Sequence, residues 1–354
     1  MATDQLAILV IRRDNIGDLI LTTPLFTALR AKYPDAYIAV LVNSYNRPAI
    51  EGNPDIDEIF SYTKGKHAQG ETVFAAYWRR VALLWQLRRR HFDYVILPNG
   101  GFAARALKLA RLLAPCHIVG FPGEASESKA INLPVPYADG GKLHETEDIF
   151  RLLAPLGVTG KIPALTLLAD SRVAQTYLAM LPNAERVGQG PLIALHISAR
   201  KEKQRWSIEN FAQLARILHQ KYRARFLIFW SPGDENNPFH PGDDQKAQRL
   251  LWLLKGLPVA PITTTSLKQL IAGMSLVDFA ILSDGGGMHV AAGLGKPILC
   301  FFGNSDASRW YPWGVPYVLL QETSRDVADI SVDTAAAGFD QLYCQYQSVA
   351  SRFQ

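Results

Sequence analysis

Short apolar runs rich in β-branched residues alternate along the whole chain with longer stretches whose apolar positions recur every three or four residues. This alternation predicts parallel strands joined by crossover helices, an α/β chain. In the first half the strand-like runs are residues 6–11, 37–42, 58–62, 94–97 and 117–120, with helical patterns at 18–32, 72–90 and 103–113. In the second half the runs are 192–197, 225–230, 259–262, 279–282, 298–302 and 317–320, and the helical patterns are 208–221, 245–254, 267–274 and 288–294. From residue 332 onward the chain again reads as helical.

Proline and glycine cluster in "PLGVTGKIPALTL", after one helix and before a new series of strands, which marks a domain join. The expected organisation is therefore two doubly wound, Rossmann-like domains facing across a cleft. The first spans residues 1–160 and the second 161–330, with a helix at 331–354 packing back on the first domain. Low-complexity tracts and short internal repeats are not evident. In doubly wound sheets ligands bind beyond the carboxyl ends of the strands, so the loops that leave the strands carry the chemistry.

Composition narrows the class. The chain has 354 residues and 48% hydrophobic content, enough for two ordinary domains with real cores. No apolar run reaches the ~20 residues needed to span a bilayer, and no secretory signal pattern opens the chain, so a cytoplasmic location is expected. Cys116, Cys300 and Cys344 are widely spaced, which fits neither a disulfide framework nor a zinc site. The formal charge of +5 is modest, but between residues 74 and 115 eight cations stand against Asp93 alone. They are Arg79, Arg80, Arg88, Arg89, Arg90, Arg105, Lys108 and Arg111, interleaved with Tyr77, Trp78 and Trp85. This segment reads either as a solvated helix face or as a surface for an anionic partner. No nucleic-acid-binding module accompanies it, so a phosphosugar or an anionic membrane surface is the preferred partner and nucleic acid is not expected.

Two loops of the second half have the chemistry of an anion site. "FAILSDGGGMHVAAGLG" ends a strand, lets the backbone approach a ligand closely through Gly285, Gly286 and Gly287, and opens a helix whose unpaired amides favour phosphate. Asp284 reads as the helix N-cap, able to accept from a sugar hydroxyl, and His289 as a phosphate donor or a buried structural histidine. "LHISARKEKQRWSIENF" is the other strand exit, offering Ser198, Arg200, Lys201, Lys203 and Arg205, some of which could neutralise a diphosphate. The second domain is thus read as the nucleotide domain. Neither half carries G-x-G-x-x-G after its first strand, nor a Walker loop, which argues against a dehydrogenase or an NTPase. The first strand instead runs into "RRDNIGDLIL", where Asp14 and Asp18 stand in the turn.

These stretches resemble glycosyltransferase family 9, the ADP-heptose:lipopolysaccharide heptosyltransferases. The resemblance rests on "IGDLILTTPLFTALRAKYP", "NPDIDEIF", "HISARKEKQRWSIENF" and "SDGGGMHVAAGLGKPILCFFGNSDASRWYPW", in the family's order over roughly residues 6–315. It implies a GT-B fold and an inverting transfer that requires no metal or other cofactor. The implied donor is a nucleotide sugar, ADP-heptose by family, and the implied acceptor is the lipopolysaccharide core or another glycolipid. Asp18 resembles the family's catalytic base. Asp284, Gly285, Gly286 and His289 correspond to its sugar-nucleotide loop, with glycine in place of the usual threonine at 285. The family's loop lysine falls at Gln204, flanked by Lys203 and Arg205, so either neighbour is a candidate for the diphosphate. Its upstream lysine corresponds to Lys64 or Lys66. Asn15, Lys64, Arg79 and Arg88 are the candidate acceptor contacts.

In an inverting transfer a carboxylate takes the acceptor proton while cations or amides stabilise the departing diphosphate. The dipole at a helix N-terminus favours a negative charge at Asp18. Asp14 is the alternative base. "DID" at 55–57 resembles a D-x-D metal motif, but it is read as the family's ordinary turn. Two rival functions share the architecture: a nucleotide-sugar epimerase, which needs no acceptor, and a non-catalytic nucleotide-sugar-binding protein.

Overall fold

The computed structural model describes residues 5–62, 73–124, 128–138, 143–180, 190–235 and 242–350. The chain divides into two compact units between Thr166 and Leu167. This is six residues beyond the end of the first domain expected from the sequence.

The first unit holds strands β1 (Ala7–Ile11), β2 (Tyr37–Asn43), β3 (Glu58–Tyr62), β4 (Tyr94–Leu97), β5 (His117–Gly120) and β6 (Leu133–Pro134). They form one parallel sheet in the order β3-β2-β1-β4-β5-β6. The second unit holds β7 (Leu192–His196), β8 (Arg225–Trp230), β9 (Val259–Thr263), β10 (Phe279–Ser283), β11 (Ile298–Phe301) and β12 (Tyr317–Leu320). Their order, β12-β11-β10-β7-β8-β9, is the same doubly wound arrangement. Each sheet has its switch point beside its first strand, between β1 and β4 and between β7 and β10.

Strand β1 is buried along its whole length, because helices cover both faces of a parallel sheet. That is why these strands read as continuous apolar runs rather than alternating ones. Among the described strands, proline occurs only in the edge strands β6 (Pro134) and β9 (Pro261), where a missing N–H can face away from the ladder. The helices of the first unit are α1 (Ile16–Leu21), α2 (Thr23–Lys32), α3 (Val73–Arg88), α4 (Ala104–Leu113) and α5 (Glu145–Phe150). Those of the second are α6 (Ser171–Met180), α7 (Ile208–Tyr222), α8 (Asp244–Leu253), α9 (Leu267–Ser275), α10 (Gly286–Gly293), α11 (Ala307–Trp310) and α12 (Val332–Ala350). The single helix expected at 18–32 is two, divided at Thr22 just before Pro24, whose ring fits only the first turn of a new helix.

The terminal helix departs from expectation. Helix α12 packs on α7, β11 and β12 of the second unit, with Ala335, Phe339 and Leu342 in that unit's core. Asp340 adds polar contacts, accepting from Lys221 Nζ at 2.7 Å and from the Tyr222 hydroxyl at 2.6 Å. The apolar face matches a side of its own sheet, so the helix closes the second unit.

The two units also share a repeat that a scan of the sequence passes over. "DYVILPNGG" (93–101) and "DFAILSDGG" (278–286) have in common the aspartate, the Ile-Leu pair and the Gly-Gly pair. The aspartate does the same work in both. Asp93 Oδ2 accepts from the N–H of Ala7 and Asp278 Oδ2 from that of Leu192, each at 2.8 Å. Their own N–H groups return bonds to the carbonyls of those residues, at 2.9 and 2.7 Å. The central pair of strands in each sheet is thereby locked in register at its N-terminal end. Asp93→Ala and Asp278→Ala each leave a strand-opening N–H without its acceptor, which is expected to cost about 1–3 kcal/mol. Urea denaturation at neutral pH measures this; an unchanged midpoint for either variant contradicts the locking role.

Candidate active site

Arg12 follows β1 directly, and its backbone N–H extends the ladder to the carbonyl of Leu41 at 3.1 Å. Its side chain is only 1% exposed. Three carboxylates surround the guanidinium: Glu145 Oε1 lies 2.8 Å and Asp18 Oδ1 3.4 Å from Nη2, and Asp14 Oδ2 lies 3.6 Å from Nε. Burial of a cation works to lower its pKa, but the three neighbouring acids outweigh it and the net shift of Arg12 is upward. The arginine stays charged. Desolvating an ion costs several kcal/mol, and such a group persists only where its partners are held in place.

Those partners are held. Glu145, 1% exposed, opens α5, a helix capped by the His144 ring through the N–H of Thr146 at 3.1 Å. Asp14 Oδ2 accepts from Asn99 Nδ2 at 2.5 Å, bridging the loops after β1 and β4, and its carbonyl accepts from the Tyr45 hydroxyl at 2.5 Å. Asp18 sits in the first turn of α1 rather than at its cap. Its Oδ2 accepts from the backbone N–H of Asn15 at 2.8 Å and from Asn15 Nδ2 at 2.9 Å, half of a capping box. Asp18 itself is 8% exposed. One of its oxygens is thus fixed by Asn15, and the other faces Arg12.

Of the candidate acceptor contacts among the described residues, Asn15 meets Asp18. Arg79 and Arg88 lie on the exposed face of α3, where Arg88 donates to the carbonyl of Leu112 at 2.8 Å and holds α3 to α4. Lys64 and Lys66 fall outside the described residues. The "DID" turn has a structural occupation. Asp55 accepts from the Thr27 hydroxyl at 2.6 Å, and Asp57 Oδ2 from Arg30 and from the N–H of Ile38, both at 2.7 Å.

At the exit of β7, Ser198 is committed to the fold. Its hydroxyl donates to Asp243 Oδ2 at 2.5 Å and accepts from the N–H of Ser231 at 2.8 Å. Arg200, Lys201 and Lys203 are exposed, whereas half-buried Arg205 is tethered through Nε to the carbonyl of Ala199 at 3.0 Å. Between Lys203 and Arg205, Gln204 is buried. Its Nε2 donates to Asp284 Oδ2 at 2.7 Å and to the Ser305 hydroxyl at 2.8 Å. The chain passes so closely here that a Cβ on Gly303 would sit 2.1 Å from the carbonyl oxygen of Lys203.

The expectation that Asp284 caps α10 is corrected by this contact. Its carboxylate is drawn to Gln204, and the cap is Gly285, whose φ of +155° is a conformation that favours glycine. In the first turn of α10 the N–H of Met288 donates to the carbonyl of Gly285 at 3.1 Å, while the N–H groups of Gly286 and Gly287 stand at the helix N-terminus, where amides can meet an anion. Beneath them lies His196, whose Nε2 would be 3.3 Å from a Cβ on Gly287. Burial pushes the His196 pKa down to about 4, so the ring is neutral at physiological pH and adds no positive charge. His289 is buried in α10, edge-on to the Trp310 ring at 6.3 Å. Sequence reading missed Arg12, Glu145, His196 and the Gln204 bridge. Only Arg12 left a signal, as a charged residue directly abutting a fully apolar strand.

Known proteins share this architecture and these stretches. The profile of Glycosyltransferase family 9 (heptosyltransferase) matches residues 80–334. Lipopolysaccharide heptosyltransferase 3 of Escherichia coli is 24% identical over 306 residues, covering 84% of this chain and 83% of its own. Lipopolysaccharide heptosyltransferase 2 of Salmonella typhimurium is 25% identical over 309 residues, covering 84% and 83%. Among solved structures, a family 9 glycosyl transferase from Veillonella parvula superposes with a TM-score of 0.76 at 20% identity, over 98% of this chain and 99% of that one. The E. coli ADP-heptose lps heptosyltransferase II gives 0.75 at 18% identity, over 97% and 100%. The two parallel six-stranded sheets are thus those of a GT-B glycosyltransferase. The family profile covers most of the length, and the chain belongs to glycosyltransferase family 9 (heptosyltransferase).

Proposed function

We propose that the protein is an inverting, metal-independent heptosyltransferase that moves heptose from ADP-heptose to an acceptor of the lipopolysaccharide core, with Asp18 as general base. The observation that carries this reading is the Asp18 carboxylate at the exit of β1. It stands at the switch point of a doubly wound sheet, one oxygen fixed by Asn15 and its charge paired with buried Arg12.

The acceptor hydroxyl attacks the anomeric carbon of the donor as the bond from that carbon to the diphosphate oxygen breaks. The bonding electron pair leaves with the nucleoside diphosphate, and the hydroxyl proton passes to Asp18. Arg12 and Glu145 are positioning residues in this scheme: they touch no reacting atom, and they fix the carboxylate that does. Asp14 is occupied in joining two loops through Asn99, which leaves Asp18 the better base. The departing charge falls to the α10 amides and to the cations of the 200–205 loop. With Gln204 neutral and engaged by Asp284, that cation is Lys203 or Arg205. A lipid-linked acceptor brings the enzyme to work at a membrane surface.

Three outcomes test this reading. Asp18→Asn keeps an acceptor for the Asn15 cap but removes the base, so turnover should drop by roughly 10²-fold or more while ADP binding is kept. Normal transfer by that variant in a direct assay would remove Asp18 from the role. Glu145→Gln leaves Arg12 with a weaker partner. It is expected to cost about 1–3 kcal/mol of stability and to lower kcat with donor KM nearly unchanged; a change in donor KM alone would place Glu145 in binding rather than positioning. In calorimetry ADP should bind more tightly than UDP or GDP, and a preference for either of the latter would overturn the donor assignment.

A further inference from the structure

Helix α3 gives the first unit little apolar surface. Leu87 is buried and Leu83 and Leu84 are half-buried, while the opposite side carries Phe74, 72% exposed, Trp78, 54%, and Trp85, 58%. At about 100° per residue these three rings fall within an arc of roughly 40°. Tyr77, 62% exposed, flanks them, and edge-to-face contacts join Phe74 to Trp78 at 5.9 Å and Tyr77 to Trp78 at 6.1 Å. Trp85 follows two turns farther along the same face. A monomeric surface scatters single apolar residues, whereas a contiguous aromatic face marks a contact with something less polar than water.

The charge beside that stripe identifies what it meets. Arg79, Arg80, Arg88 and Arg89 lie on or just after α3, where no acidic side chain stands between residues 73 and 92; Arg90 is paired with Glu58 at 2.8 Å. The Arg89 guanidinium sits over the Trp85 ring at 4.4 Å. Neighbouring α4 adds exposed Arg105, Lys108 and Arg111, with Leu112 56% exposed. Arg88 ties the two helices together through the Leu112 carbonyl. Aromatic rings between apolar and wet zones, flanked by arginines, match the boundary of an anionic bilayer, where rings settle at headgroup depth and cations pair with lipid phosphate. No described helix is long and apolar enough to cross a membrane, so such a contact is made from the surface.

We propose that α3, supported by α4, docks flat on anionic phospholipid, with Phe74, Trp78 and Trp85 entering the headgroup region. This extends the lipid-linked acceptor of the proposed function, but vesicle binding is read without donor or acceptor, so either can fail alone. The full-length protein is mixed with vesicles of phosphatidylcholine, with and without phosphatidylglycerol. Binding to the anionic vesicles only, weakened by salt, with a blue shift of tryptophan emission, is expected. Trp78→Ala with Trp85→Ala, and separately Arg89→Glu, should each reduce vesicle binding by about 10-fold or more while transfer to a soluble, delipidated acceptor stays unchanged. Wild-type binding that is absent or indifferent to lipid charge overturns the proposal. So do variants that bind like wild type, and so does displacement of the protein from vesicles by RNA. Loss of transfer to the soluble acceptor also overturns it, because the face would then belong to the acceptor site.

Discussion

A buried guanidinium at the end of β1 sets the terms for the whole first unit. Arg12 is sealed from water, and a charge in that position is tolerated only if counter-charges reach it from elsewhere in the chain. Asp14 and Asp18 come from its own loop, and Glu145 comes from 133 residues away. The ion pair with Glu145 therefore does more than neutralise: it fixes where α5 begins relative to the sheet. Asn99 then ties the loop after β4 to the same cluster. A base required to meet a hydroxyl at one angle benefits from a loop whose every carboxylate already has a partner.

The second unit repeats the topology and solves the opposite electrostatic problem. On the proposed reading its switch point receives negative charge, and the acid at that strand end is held by an amide hydrogen bond rather than by a buried cation. Asp284 is bound by the Gln204 amide, and His196 is kept neutral by burial. On the exposed loop beside it stand Arg200, Lys201 and Lys203. Gly303 allows this close packing, because a side chain there would run into the Lys203 carbonyl, and at Gly287 a Cβ would press on the His196 ring at 3.3 Å.

Eleven of the twelve described strands were legible because parallel strands buried on both faces leave unbroken apolar runs, and because the loops between them carry glycine, proline and polar residues, whereas the two-residue β6 leaves no run to read. That Asp18 and the 284–289 loop lie just beyond strand ends was legible for a related reason: sequence neighbours there are also spatial neighbours. Contacts that close over long separations left no such trace. Nothing in "HETED" tells that Glu145 meets Arg12, and nothing near Gln204 announces Asp284, 80 residues away. The same limit explains α12, whose amphipathic face fits a helix-covered sheet in general and carries no mark of which sheet.

The repeat shared by 93–101 and 278–286 shows how one frame yields two chemistries. In both, an aspartate locks the central strands, an Ile-Leu pair fills the core, and a Gly-Gly pair lets the chain turn beyond the strand. The difference lies in the residue before the glycines and in what the loop of the first strand sends to meet it. Asn99 donates to an acid, Asp14, whereas Asp284 accepts from an amide, Gln204. The first arrangement gathers carboxylates and the second quiets one. On the proposed reading, an acid in the turn after β1 suits a switch point that takes up a proton where the second unit's receives a diphosphate.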